Sequence, residues 1–149
     1  VILSGRDIKW YIEKGLLKIE PVEEEQFQQN GIDLILEDMI DALQNKPITY
    51  VYRKRFYLGA TREILTLPDD LCAFVTLRST WARKGILICP TMVDAGFIGN
   101  LTVEIFAAGY SGPAPLYSRF LHLVFAKMAT PGDAYKGKYQ GQKGVTLAK

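Results

Sequence analysis

The stretch Val93–Phe106, VDAGFIGNLTVEIF, joins a turn to a strand. Asp94-Ala95-Gly96 and Gly99-Asn100 bracket Phe97 with residue types that interrupt regular backbone. From Leu101 the chain alternates, with Leu101, Val103 and Ile105 on one face and Thr102, Glu104 and Phe106 on the other. Glu104 is therefore predicted mid-strand, where a carboxylate is disfavoured unless it meets solvent, a partner or a site. On residues alone, an exposed glutamate on a half-solvated strand is the more frequent case, and Phe97 reads as a core aromatic.

Outward from this stretch the same grammar repeats. Ile32–Leu36, Thr49–Tyr52, Cys72–Leu77, Ile86–Ile88, Leu101–Ala107 and Leu121–Lys127 are short apolar runs separated by Gly, Pro, Asn and Asp. That pattern predicts an all-β sandwich or barrel. One helix is added over residues 4–15, with Ser4 as N-cap and Asp7 at the capping-box position. Its apolar face is Ile8, Tyr11 and Ile12, and Gly15 closes it. Residues 37–46, EDMIDALQNK, fit a helical turn or a strand connection equally, and Glu23–Glu25 reads as solvated surface.

The chain has 149 residues, 48% hydrophobic and 23% charged, which predicts one domain over 1–149. No apolar run reaches the roughly 18–20 residues that cross a bilayer, and the N-terminus lacks a signal-peptide core. A net charge of +2 is too weak to indicate nucleic acid, so the expectation is a soluble, cytoplasmic protein. Cys72 and Cys89 sit in apolar runs and are predicted to be buried free thiols. With His122 the only histidine and no CxxC, HxE or HExxH, the usual zinc ligand set is missing. The zinc-dependent nucleobase deaminases are thereby excluded.

Two further segments carry chemistry. In Arg78–Gly85, RSTWARKG, Ser79 is predicted to cap a short helix that Gly85 ends. The free N–H groups there, with Arg78 and Arg83, suit a phosphate; a surface turn with two solvated arginines is the equal alternative. From Pro131 the chain reads PGDAYKGKYQGQKGVTLAK, with four lysines against one aspartate and almost no aliphatic residue before Val145. Residues 130–149 are predicted to be a mobile tail unless a ligand or a neighbouring subunit orders it.

In chain order, RSTWAR, VDAGFIGNLTVE and AYKGKYQGQKG, with ILSGRDIKWYI, NGIDLIL and LPDDLCAFV around them, resemble the deoxycytidine triphosphate deaminases. That family shares its fold with the trimeric dUTPases, and the resemblance covers most of the chain. It implies a mainly β fold, a distorted jelly roll of the dUTPase type with a short N-terminal helix. It also implies a homotrimer with nucleotide sites between subunits and zinc-independent deamination of dCTP to dUTP and ammonia. Glu104 would be the general acid/base, with Ser79 and Arg83 holding water and substrate and Arg78 a further substrate contact. Asp94 and Phe97 would line the deoxyribose and base, and Tyr135, Lys138 and Gln142 would close on the phosphates. Mg2+ is expected on the triphosphate and dTTP as an inhibitor.

Three alternatives stand beside this reading. One is a dUTPase releasing pyrophosphate from dUTP, which has no use for a glutamate at Glu104. Another is a bifunctional enzyme giving dUMP with help from Asp94, and the last is a non-catalytic nucleotide-binding protein. Against the family pattern, the span between Leu36 and Thr49 is short where relatives carry a longer arm. His122 stands where relatives often have glutamine, and reads as a structural strand residue.

Overall fold

In the computed structural model, which describes residues 1–149, fourteen strands and two helices follow one another. Helix α1 (Gly5–Glu13) leads into β1 (Lys18–Glu20), a 3-10 turn at Glu24–Gln26, β2 (Phe27–Gln28) and the long β3 (Gly31–Asp41). Then come β4 (Lys46–Pro47), β5 (Tyr50–Val51), β6 (Phe56–Thr61), β7 (Ile64–Thr66) and β8 (Leu71–Leu77). Helix α2 (Ser79–Arg83) precedes β9 (Ile86–Ile88), β10 (Thr91–Val93), β11 (Ile98–Gly99), β12 (Thr102–Ala107), β13 (Gly112–Pro113) and β14 (Arg119–Lys127).

The capping box of α1 forms as predicted. The Asp7 N–H donates to Ser4 Oγ at 3.1 Å and the Ser4 N–H donates back to Asp7 Oδ2 at 2.8 Å. Two orphan donors are thus satisfied by one residue pair. The helix gives out at Lys14, and Gly15 follows at φ +70°.

Strands run β10-β8-β14-β3-β6-β12-β9 in one curled, antiparallel sheet, with a smaller sheet β1-β7-β11 beside it. β3 holds the fold together. Its first half pairs with β14 and its second half with β6, and the register shifts between Leu36 and Asp38. A register break in a long strand lets it turn from one layer of a sandwich into the other. The jelly-roll expectation is met, and residues 37–46 resolve into the end of β3 followed by a turn at 42–45.

Twenty-six buried residues form the core. β12 alternates as its sequence predicts, with Val103 and Ile105 buried, Thr102 and Glu104 half-buried and Phe106 exposed. Three expectations need correction. Strands β6 and β7 lie where no strand was predicted, because FYLGAT and ILT are broken by Gly59 and Arg62-Glu63. Arg78, not Ser79, is the N-cap of α2, and no side chain caps it. Both cysteines are free, but Cys72 is half-buried and Cys89 exposed. Cys89 follows β9, an edge strand paired only with β12, so the apolar run ILICP has one unpaired strand edge.

Candidate active site

The outer face of β12 and the loop before it form the floor of a pocket of about 680 Å³. Glu104, opposite Leu58 of β6, points into it, and its Oε2 is buried without a hydrogen-bond partner. A buried carboxylate oxygen left unpaired costs on the order of 1–3 kcal/mol, which makes this atom a place where a donor belongs.

Asp94 and Phe97 line the same pocket from the turn that follows β10, closed by the Phe97 N–H on the Asp94 carbonyl at 3.1 Å. Phe97 is only 6% exposed, and its ring meets Tyr135 edge-on at 5.8 Å between centroids. It is thus both core aromatic and pocket wall. Gly96 makes the turn at φ +79°, and a Cβ there would stand 2.7 Å from Ala134 Cα. Tyr135 and Gln142 reach the pocket from residues 130–149, which lie along the 95–102 loop.

The remaining predicted residues lie elsewhere on the chain. Ser79 and Arg78 line a second, shallower groove of about 300 Å³ with Thr76, Asp33 and His122. Arg83 is exposed at the end of α2, and neither it nor Ser79 lines the Glu104 pocket. The Lys138 ammonium bonds the carbonyl of Lys149.

Asp33 was not singled out from sequence, although a lone carboxylate in the run GIDLIL is a visible anomaly. Its side chain is 3% exposed and takes Arg78 Nε at 2.9 Å, Arg119 Nη1 at 3.5 Å and His122 Nδ1 at 2.9 Å. A buried carboxylate is tolerated when cations surround it, and here it also fixes the direction of Arg78. His122 is accordingly a partner of Asp33 on β14. Glu63, also missed, is fully buried in the turn between β6 and β7. Both its oxygens accept the Ile35 N–H at 3.1 Å, and Oε1 accepts Gln26 Nε2 at 2.8 Å. Burial pushes its carboxyl up to about 7, against these bonds.

Curled antiparallel sheets with a carboxylate on the strand after a DAGF turn define a dUTPase-like jelly roll with a pocket suited to a nucleotide. Among solved structures, that of a 2'-deoxycytidine 5'-triphosphate deaminase from Agrobacterium tumefaciens superposes with a TM-score of 0.70 at 19% identity. The match covers 83% of this chain and 47% of that longer chain. The family profile described as dCTP deaminase-like matches residues 42–128. A dCTP deaminase of Metallosphaera sedula is 41% identical, over 100% of this chain and 98% of the relative. The probable deoxyuridine 5'-triphosphate nucleotidohydrolase of Sulfolobus islandicus rod-shaped virus 1 is 48% identical, over 100% of this chain and 99% of its own. The chain belongs to the dCTP deaminase-like family.

Proposed function

We propose that this protein hydrolyses dCTP to dUTP and ammonia in the cytoplasm, with Glu104 as general acid/base. The observation that carries the reading is the buried, unpartnered Glu104 Oε2 inside the pocket. Water must attack C4 of cytosine while N3 and the departing amine gain protons. A carboxylate within reach of both water and N3 can take the first proton and deliver it. Positioning contributes much of the remaining acceleration, since the water is only modestly activated. Phe97 packs against the sugar and leaves no room for a 2'-hydroxyl, and Asp94 holds the deoxyribose.

Ser79, Arg83 and Arg78 complete the site from a neighbouring subunit of a homotrimer, the Ser79 hydroxyl holding the water and the arginines the phosphates. An exposed apolar row supports such a contact: Phe56, Phe106 and Leu87, adjacent across β6, β12 and β9, are 40%, 41% and 52% exposed. Residues 1–149 act as one domain in this account. The tail 130–149 closes over the triphosphate through Tyr135, Lys138 and Gln142. Mg2+ arrives on the substrate's phosphates. The same site would take dTTP as an inhibitor.

Glu104→Gln tests the role. It keeps shape and removes the base, so ammonia release from dCTP is expected to fall by about 10²–10⁴-fold while dCTP binding survives. Unaltered turnover in that variant would rule the mechanism out.

A second reading has its own support. The viral relative, described as a probable deoxyuridine 5'-triphosphate nucleotidohydrolase, is 48% identical over the whole of this chain, against 41% for the Metallosphaera enzyme. Hydrolysis of dUTP at the α-phosphate, with Asp94 activating water, would use the same pocket. Both steps in sequence would give dUMP.

A further inference from the structure

Asn100 lies between β11 and β12, is 8% exposed, and is hydrogen-bonded in two directions. Toward the body, Nδ2 donates to the carbonyls of Thr61 at 2.9 Å and Glu63 at 3.1 Å, in the turn between β6 and β7. Toward the tail, Oδ1 accepts the Gly144 N–H at 3.1 Å and the Asn100 N–H donates to the Gln142 carbonyl at 3.0 Å. The Asn100 carbonyl accepts Gln142 Nε2 at 2.7 Å. Two residues on, Thr102 Oγ1 accepts the Thr146 N–H at 3.0 Å. Gly99 admits this approach: a Cβ there would stand 2.6 Å from the Gln142 carbonyl oxygen.

We propose that Asn100 is a positioning residue that clasps residues 142–146 against the strand carrying Glu104, so that one side chain sets the register between tail and catalytic carboxylate. The proposal deepens the dCTP reading and rests on it. A glycine- and lysine-rich tail has little apolar surface to hold it in place, so its docking depends on directional bonds. The two carbonyls of the 61–63 turn fix the carboxamide's orientation and leave Oδ1 aimed at Gly144. Aspartate at this position would turn an oxygen toward those carbonyls. Thr102, on the same face of β12 as Glu104, extends the clasp into the pocket wall.

The test uses the Glu104→Gln protein, which holds dCTP without consuming it. Trypsin cutting at Lys136, Lys138 and Lys143 is followed by mass spectrometry with and without dCTP and Mg2+. In that parent, dCTP is expected to slow tail cutting roughly tenfold. Adding Asn100→Ala, which removes the Oδ1 bond to Gly144 and leaves the backbone bonds to Gln142, is expected to lose most of the protection and weaken dCTP binding up to about tenfold, the scale of losing one net hydrogen bond. Cutting at Lys54, exposed in the turn before β6 and away from Asn100, should not change. Thr102→Val removes only tail-side bonds and suits a strand, so it should lose several-fold of the protection. Full protection in either variant that still binds dCTP would overturn the clasp. So would Lys54 cutting that rises in step with the tail, which would make Asn100 a residue of the fold alone. A parent that binds no dCTP would instead remove the substrate reading, and the clasp with it.

Discussion

Glu104 is shielded from water at one oxygen and Glu63 entirely, with opposite consequences. Glu104 keeps an oxygen without a donor at the pocket wall, whereas both oxygens of the buried Glu63 are bonded. For Glu63 the carboxyl lies at about 7 in the fold against an ordinary 4.5, so the folded protein holds its proton more tightly. Its contribution to stability is whole below pH 4.5, is lost as pH rises through about 7, and is flat beyond. The shift corresponds to about 3 kcal/mol. Thermal melts from pH 4.5 to 8 are expected to fall across that window, and Glu63→Gln to remove the fall; identical profiles would contradict the assignment. Strand alternation placed Glu104 on the outer face of its strand, while the role given to it came from the family resemblance alone. Glu63 was not legible, since TREIL gives no sign that Gln26 and Ile35 will close over it.

At the level of elements, short-range rules succeeded and long-range ones decided the rest. The Ser4–Asp7 box was readable because both partners lie within four residues, and Ser4→Ala is expected to cost about 1 kcal/mol in denaturant melts. A variant of unchanged stability would mean the box contributes nothing. The turn Asp94–Phe97 was readable for the same reason. Gly96→Ala should unseat the tail at Ala134 and Tyr135 and raise KM for nucleotide several-fold, because a side chain at φ +79° is strained and the added Cβ collides. A KM unchanged from the parent's would refute that. In contrast, the length of β3 and the existence of β6 come from pairing across the sheet, where Gly59 is tolerated because Leu36 and Ile105 crowd its face. The α2 cap failed as a reading because the backbone turns helical only after Arg78, whose side chain is committed to Asp33.

For the whole molecule, the separation of Ser79 and Arg83 from Glu104 is the dominant fact. Sequence order named Ser79, Arg83 and Glu104 together, yet one chain holds them on different surfaces. A motif records which residues a reaction needs, and it does not record which copy supplies them. The trimer account predicts complementation: Glu104→Gln and Arg83→Ala proteins, each inactive, regain activity when unfolded together and reassembled. Random mixing in equal amounts leaves about a quarter of sites with both native halves, and so about a quarter of wild-type activity. Mixtures no more active than their parts would place the whole site within one chain.

The most direct measurement of the central claim is product analysis of the purified protein with Mg2+ and either dCTP or dUTP, following ammonia, pyrophosphate and nucleotide together. The account predicts ammonia and dUTP in equal amounts from dCTP, with dUTP left intact. Ammonia with pyrophosphate and dUMP would add the second step to the first. Pyrophosphate from dUTP with dCTP untouched would contradict deamination and leave Glu104 without the role assigned to it.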